Sequence, residues 1–317
     1  MNVVVTGGAG FIGSHVVDRL VDRGHGVVVL DNLSTGRRER VHAAASMHVC
    51  DLRSVNAMEL ITQVRPDVVV HAAAQASVVR SLVEPLEDAE VNVLGTVRLL
   101  QACASARVQR FVYVSTGGAA YGDTDVIPTP EDHPLRPTSP YGVSKVSAEH
   151  YAHCFGPLYG LRTVTLRLAN VYGPRQDPAD EAGVVAIFAS RLLQGHDCVI
   201  HGDGGQTRDF VYVGDVADAV VEAVHSREAT GPINIATGTE TTINVLYERL
   251  AQVMGLARAA RHDDARAGEQ RRSALSPARA RLLLGWAPAT PLEVGLARTV
   301  AHFTEVPADA GAQRGRR

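Results

Sequence analysis

Tyr141 and Lys145 stand four residues apart in Tyr141-Gly142-Val143-Ser144-Lys145, and Lys145 is the only lysine in a chain of 317 residues. Residues four apart on a helix share a face, so the phenol and the ammonium would project together. A tyrosine hydroxyl titrates near pH ~10 and is a poor base at neutrality, but a neighbouring ammonium favours its phenolate. The two together make a general base. Wherever else the chain carries lysine or arginine, it carries arginine. Such a chain keeps a compact ammonium where a planar guanidinium will not serve. Ser115-Thr116 is a second candidate pair, closing the apolar run Phe111-Val112-Tyr113-Val114 just before Gly117-Gly118. Either hydroxyl could hydrogen-bond a substrate oxygen and shuttle its proton, although serine and threonine also build turns with no chemistry.

The start of the chain supplies a cradle for a cofactor. Val3-Val4-Val5-Thr6 reads as a buried strand, Gly7-Gly8-Ala9-Gly10 as a tight turn, and Phe11-Ile12-Gly13-Ser14-His15 as the opening of a helix that runs to about Arg23. Glycines at 7, 8, 10 and 13 fit both G-x-x-G-x-x-G and G-x-G-x-x-G, the spacing that lets backbone approach a pyrophosphate. The phosphates would meet free N–H groups and the positive end of the helix dipole. The next apolar run, Val27-Val28-Val29-Leu30, ends in Asp31. A carboxylate there can accept from the adenosine ribose hydroxyls and repels a 2′-phosphate, which favours NAD over NADP. Arg37, Arg38 and Arg40 pull toward NADP.

These groups must be positioned by alternating strands and helices. Strand-like runs recur at Met47–Leu52, Pro66–His71, Phe111–Ser115 and Arg162–Leu168, with amphipathic helices near Ser54–Gln63, across Val91, Leu94, Val97 and Leu100, and from Tyr141 to about Cys154. Continuous valine-rich strands between such helices predict an α/β fold with a doubly wound parallel sheet, the Rossmann arrangement, with ligands at the carboxyl ends of the strands. Asp31, Asp51, His71 and Ser115 fall at those ends. The loop Tyr121–Pro140, rich in Pro, Asp and Thr, is expected on the surface. Residues 1–168 are read as the cofactor domain and 169–303 as a smaller α+β substrate domain, interleaved, with elements near 210–236 returning to the first. Residues 304–317 hold little to bury and are expected to be disordered.

Composition narrows the function classes. A hydrophobic content of 45% with 21% charged residues fits a soluble globular chain. A net charge of −3 gives no attraction to nucleic acid or to an anionic membrane. No apolar run is long enough to span a bilayer, and no secretory leader opens the chain. Cys50, Cys103, Cys154 and Cys198 are far apart and form no C-x-x-C, which suits reduced thiols in the cytoplasm. The 13 histidines include no metal-binding spacing, so no metal site is predicted.

Thr6–Gly13, Asp31, Ser115-Thr116, Tyr141–Lys145 and Arg167-Leu168-Ala169-Asn170-Val171-Tyr172-Gly173-Pro174 together resemble the extended short-chain dehydrogenase/reductase superfamily. Within it the chain is most similar to nucleotide-sugar epimerases of the UDP-glucose (UDP-galactose) 4-epimerase type, over nearly its whole length. Asp31–Gly36, His71–Gln75, Gly202–Val211 and Arg266–Arg272 carry the likeness further.

The resemblance implies that Gly7, Gly10, Phe11, Ile12, Gly13, Asp31, Asn32, Asp51, Leu52, Ala73, Asn92, Tyr141 and Lys145 contact NAD. It implies that Asn170, Val185, Arg208, Arg266 and Glu269 hold a uridine diphosphate, and that His201 stands where an aromatic ring usually faces the base. Tyr141 and Thr116 would remove the sugar 4-hydroxyl proton during transient oxidation to a 4-keto sugar. Gly117-Gly118 replaces the serine-rich stretch that many members carry, and Thr116 is preferred because Ser115 still belongs to the strand. Ser273 falls beside the sugar pocket, where a small residue leaves room for a 2-acetamido group. The family also implies a homodimer, through the helices near 91–106 and 141–154. A 4,6-dehydratase would need acids where Gly117-Gly118 stands. A glucuronate-type epimerase or decarboxylase shares the scaffold, and an NAD-binding regulator would have no need of Lys145.

Overall fold

A computed structural model describes residues 1–178, 183–265 and 270–305. The first half alternates as the valine runs predict: β1 (Asn2–Thr6), α1 (Phe11–Asp22), β2 (Gly26–Asp31), β3 (Ser46–Val49), α2 (Val55–Val64) and β4 (Val68–His71). Then follow α3 (Val78–Val83), α4 (Pro85–Ala89), α5 (Thr96–Ser105), β5 (Arg110–Thr116), α6 (Pro140–Tyr159) and β6 (Arg162–Leu168). The second half carries β7 (Asn170–Tyr172), α7 (Val184–Leu193), β8 (Val199–His201), β9 (Thr207–Arg208), β10 (Phe210–Tyr212), α8 (Val213–His225) and β11 (Gly231–Ile235). It closes with β12 (Thr241–Thr242), α9 (Ile243–Val253), β13 (Arg261–Asp263), α10 (Ala278–Leu284) and α11 (Leu292–Glu305).

Seven strands form one parallel sheet in the order β11-β6-β5-β4-β1-β2-β3. The order reverses direction between β1 and β4, the switch point where doubly wound sheets bind dinucleotides. One face of the sheet packs on α1 and α8 through Val16, Val17, Leu20, Val216 and Val220. The other packs on α5 and α6 through Leu99, Leu100, Ala148 and Ala152. Each fully buried leucine or valine of this kind contributes about 1.5–3 kcal/mol. β11 pairs with β6, so the chain does return to the main sheet after residue 230. A separate core gathers Val185, Phe188, Leu192, Ile200, Phe210, Leu246 and Leu250 from the second half.

Four expectations need correction. The helix read through Val91–Leu100 is broken: α4 ends at Ala89, Glu90–Gly95 is a π-helical turn, and α5 begins at Thr96. The wider turn shifts the register, which leaves Leu94 51% exposed. The loop after Tyr121 is not all surface, since Tyr121 and Thr129 are buried. Tyr121 donates to Asn234 Oδ1 and Asn234 Nδ2 donates to the Thr129 carbonyl, which fastens the loop to β11. The third strand is shorter than Met47–Leu52 and ends at Val49. Residues 304 and 305 are the last of α11 rather than a free tail, and the expectation for 306–317 lies outside the described residues.

Cys103 and Cys198 are buried, Cys50 is half-buried, Cys154 is exposed, and all four are free. Among the described residues no helix is long and apolar enough to cross a membrane, and no cluster of three or more His, Cys, Asp or Glu could hold a metal.

Candidate active site

The glycine turn joins β1 to α1. Gly7 has φ +71°, and a Cβ there would lie 2.6 Å from the Ala73 nitrogen; one on Gly13 would lie 2.1 Å from the Gly7 carbonyl oxygen. Helix and turn thus meet backbone to backbone. Gly10 is the N-cap of α1 and no side chain caps it, so the first N–H groups face outward unclaimed by a side chain. This is a cradle for a diphosphate. Phe11 and Ile12 lie partly buried behind it and pack on the second core. Asp31, 7% exposed, braces the turn: Oδ2 accepts from Ala9 N at 3.0 Å and Oδ1 from Leu33 N at 2.8 Å.

Asn32 and Asp51 extend this edge. Asn32 Nδ2 donates to Asp51 Oδ2 at 3.1 Å, and Arg53 donates to both Asp51 oxygens at 2.9 Å. The Arg53 guanidinium holds the Asp51 carboxyl well below the ordinary carboxylate range. Leu52 is buried against Gly95. Ala73 donates to Thr6 Oγ1 at 3.3 Å and forms the wall facing Gly7. Of the arginines that could favour a 2′-phosphate, Arg37 is already paired with Asp177 at 2.9 Å. The glycine cradle, the uncapped helix and the acid at the end of β2 fit NAD.

His71, expected at a ligand-facing strand end, instead belongs to the core. It is 1% exposed, with Nδ1 2.7 Å from Thr6 Oγ1 and Nε2 2.9 Å from Thr96 Oγ1. Thr96 spends its own proton on the Asn92 carbonyl, so His71 is the neutral tautomer protonated on Nε2. Burial pushes its pKa down to about 3.

The catalytic candidates meet at the carboxyl end of β5. Ser139 caps α6 by accepting from Gly142 N at 3.1 Å, Pro140 occupies the first turn, and Gly160 ends the helix at φ +70°. That places Tyr141, half-buried, and Lys145, 3% exposed, on one face. Lys145 Nζ donates to the Val114 carbonyl at 2.7 Å and sits 4.4 Å from the centre of the Tyr113 ring. Burial pulls its pKa down to about 7. A Cβ on Gly142 would lie 2.5 Å from the Ala119 carbonyl, so the Tyr141 turn rests on the loop that follows Thr116.

Ser115 and Thr116 separate here. Ser115 Oγ donates to Glu149 Oε1 at 2.5 Å, below the site, and Glu149 forms a buried ion pair with Arg167 at 2.8 Å. Among the described residues Thr116 Oγ1 accepts only a long 3.3 Å bond from Ala119 N, and its proton has no acceptor there. Gly117 lies under the Leu275 side chain, since a Cβ there would lie 2.3 Å from Leu275 Cδ1 and the leucine would have to shift. Asn92 is buried and its amide is spent within the protein: Oδ1 accepts from Gln75 N, and Nδ2 reaches the Gln75 carbonyl, Asp88 Oδ1 and Ser144 Oγ.

The second half carries the remaining candidates. Asn170 Oδ1 lies 4.0 Å from where a Gly118 Cβ would stand. Arg208 donates from Nη1 to the carbonyls of Thr207 and Gln270 at 2.7 and 2.9 Å; Gln270 follows Arg266 and Glu269 in the sequence. Those two residues lie outside the described residues. His201 is half-buried at the end of β8, its Nδ1 3.3 Å from the Asp264 carbonyl oxygen. Val185 turns its side chain into the second core, and only its backbone N–H on the first turn of α7 remains for a ligand. Ser273 is 5% exposed, and the residues that follow it contact the loop after Thr116: the Ala274 carbonyl accepts from Thr129 N, and Leu275 covers Gly117. Glu149, Asp88 and Gln270 were not singled out in the sequence; only Glu149 left a signal there, as the third member of the spacing 141, 145, 149.

A dinucleotide cradle at the switch point of a parallel sheet, joined to a tyrosine–lysine pair on the helix beside it, defines a nucleotide-cofactor enzyme of the short-chain dehydrogenase type. The model of the NAD dependent epimerase/dehydratase family matches residues 3–236, and the chain belongs to that family. It superposes with TM-score 0.93 on the UDP-glucose 4-epimerase of Thermotoga maritima solved with UDP-glucose, at 45% identity, covering 96% of this chain and 99% of that one. With a UDP-glucose 4-epimerase of Thermus thermophilus in complex with NAD the TM-score is 0.90 at 44% identity, covering 96% and 100%. With the UDP-N-acetylglucosamine 4-epimerase of Methanobrevibacter ruminantium in complex with UDP-N-acetylmuramic acid it is 0.91 at 36%, covering 96% and 98%.

Proposed function

We propose that the chain is a UDP-sugar 4-epimerase that interconverts UDP-glucose and UDP-galactose and also admits the N-acetylated sugars. The observation that carries this reading is the placement of Tyr141 and the sole lysine against β5 and the loop that follows Thr116, in the same parallel sheet whose first strand leads into the glycine turn. NAD, when bound, supplies the acceptor and donor of a hydride at the sugar C4. Tyr141 takes the 4-hydroxyl proton and later returns it, while Thr116 hydrogen-bonds the same oxygen and aligns it. Lys145 stabilises the phenolate and orients the nicotinamide ribose. Arg208, with Arg266 and Glu269, anchors the diphosphate and ribose, so the 4-keto sugar can turn without leaving. Binding energy from the non-reacting half is thereby used for the reaction. Gly117-Gly118 offers no acid or base for elimination, which favours epimerase over dehydratase. Residues 169–303 act as the substrate domain.

Ser273 leaves the sugar pocket open to a 2-acetamido group, and the likeness to an N-acetylglucosamine epimerase supports that breadth. A homodimer is the assembly we infer: Leu94, Val143 and Tyr151 are exposed on the two helical segments expected to pair, and light scattering should give twice the chain mass. The cytoplasm suits four unpaired thiols. The direct test mixes purified protein with UDP-galactose, with no added cofactor, and follows UDP-glucose. No conversion of either sugar pair would overturn the reading.

A further inference from the structure

The proposed chemistry needs Lys145 charged, and the fold buries it. Five titratable groups lie on the strands and helices around it. His71 from β4 is a neutral histidine; Tyr113 from β5 is a phenol that burial keeps protonated; Tyr141 and Glu149 lie on α6 itself; and Asp88 comes from α4. Glu149 is already neutralised by Arg167 and takes the Ser115 proton. Asp88 differs. It is 1% exposed; Oδ1 accepts from Gln75 Nε2 at 2.9 Å and Asn92 Nδ2 at 3.1 Å, while Oδ2 is buried with no hydrogen-bond partner among the described residues. The Tyr113 hydroxyl is likewise buried and unpartnered. A carboxylate in this setting is costly unless a cation offsets it. Asn92 Nδ2 also reaches Ser144 Oγ at 3.1 Å, and Ser144 donates to the Tyr141 carbonyl at 3.0 Å.

We propose that Asp88 is the counter-charge of Lys145 and a positioning residue for the catalytic turn, holding the lysine as an ammonium from α4 and fixing the backbone of Tyr141 through Asn92 and Ser144. Its consequence for turnover rests on the reading of Tyr141 and Lys145 as the reacting pair, but its electrostatic core does not. Burial works against the ammonium; two carboxylates work for it, Glu149 more strongly and Asp88 after it, and Asp88 is tied to the lysine's turn through Asn92 and Ser144. With Glu149 committed to Arg167, the unshared charge is that of Asp88.

The chain's single lysine makes the test direct. Protein grown on lysine labelled with carbon-13 at Cε carries one lysine signal, and its chemical shift against pH titrates Lys145 with or without turnover. Asp88→Asn keeps an oxygen for both accepted bonds and removes the charge. Its Lys145 midpoint should fall by about one pH unit, whereas Asp88→Glu should stay close to wild type. Asp88→Glu against Asp88→Gln is a second pair of equal volume that differs in charge alone, for use if Asp88→Asn does not melt cooperatively. In steady-state assays with UDP-galactose the alkaline limb of kcat should move down by the same interval with KM unchanged. A role in folding alone would lower kcat evenly at every pH. Equal midpoints in the charged and uncharged variants would overturn the proposal. A shifted midpoint in a protein that converts no sugar would leave it standing and remove the proposed function instead.

Discussion

Ser115→Ala and Thr116→Val should part stability from chemistry at adjacent positions. Ser115 Oγ gives its proton to Glu149 at 2.5 Å, 4% exposed, beside the Arg167 ion pair. A hydrogen bond to a charged group contributes about 1.5–3 kcal/mol, and here Arg167 still holds the carboxylate after the serine is gone. Ser115→Ala should therefore cost about 1.5–3 kcal/mol of unfolding free energy and leave kcat within about threefold. Thr116→Val keeps the shape of the side chain and removes a hydroxyl whose one hydrogen bond among the described residues is the 3.3 Å bond from Ala119 N. Its cost in stability should stay below about 1 kcal/mol, while kcat falls by about 10²–10⁴-fold, the usual size of a lost proton-transfer or aligning group. Urea unfolding gives the first quantity and conversion of UDP-galactose to UDP-glucose the second. Equal losses of kcat in the two variants, or a larger loss in Ser115→Ala, would refute the assignment of Thr116.

Tyr141→Phe should abolish turnover with an unchanged melting curve, and Lys145→Arg should be severely impaired, because a planar fork does not replace a compact ammonium; near-wild-type rates in either would remove the mechanism. NAD rather than NADP should be released when the purified protein is denatured, since Asp31 ends β2 beside the glycine turn and Arg37 is held by Asp177. Wild type should convert UDP-N-acetylgalactosamine as well as UDP-galactose, and Ser273→Tyr should lose the acetamido activity first; equal loss of both would mean that Ser273 does not gate the pocket. His71 should give the protein an acid-side slope. Its folded pKa, about 3, lies below the unfolded value near ~6.5. Between those values the unfolded chain binds the extra proton, so stability is full above the upper one and falls by about 1.4 kcal/mol per pH unit below it. Chemical unfolding at pH 6 and pH 4 should show less pH dependence in His71→Gln.

What the sequence made legible was local. The strand, glycine turn and helix at residues 2–22 announce themselves by composition in one continuous stretch, and Asp31 follows at a fixed distance because β2 must return beside β1. Tyr141 and Lys145 are legible for the same reason, since helical spacing places them with no knowledge of the rest of the chain. The broken helix at Glu90–Gly95 was not legible, because a π-helical turn leaves the apolar pattern of Val91, Leu94, Val97 and Leu100 intact while rotating Leu94 into solvent. Nor was the interior of the loop after Tyr121, whose Pro, Asp and Thr look solvent-facing until Asn234, more than a hundred residues later, reaches Tyr121 and Thr129.

Glu149 marks the boundary between the two kinds of knowledge. Its place four residues after Lys145 is written in the sequence, and so is the expectation that it shares the helix face of Tyr141. Its role is set by two partners that helical spacing cannot supply. Arg167, from β6, neutralises it, which prevents it from acting as a base in the site. Ser115, from β5, donates to it, which takes one of two adjacent hydroxyls out of the chemistry. The proposed choice of Thr116 over Ser115, open when the strand is read alone, is therefore supported by a carboxylate on another element. Thr116 follows Ser115 on the strand, so its side chain projects to the opposite face from the buried network. One residue of register at the end of β5 thus separates the hydroxyl that supports the fold from the one left to meet a substrate.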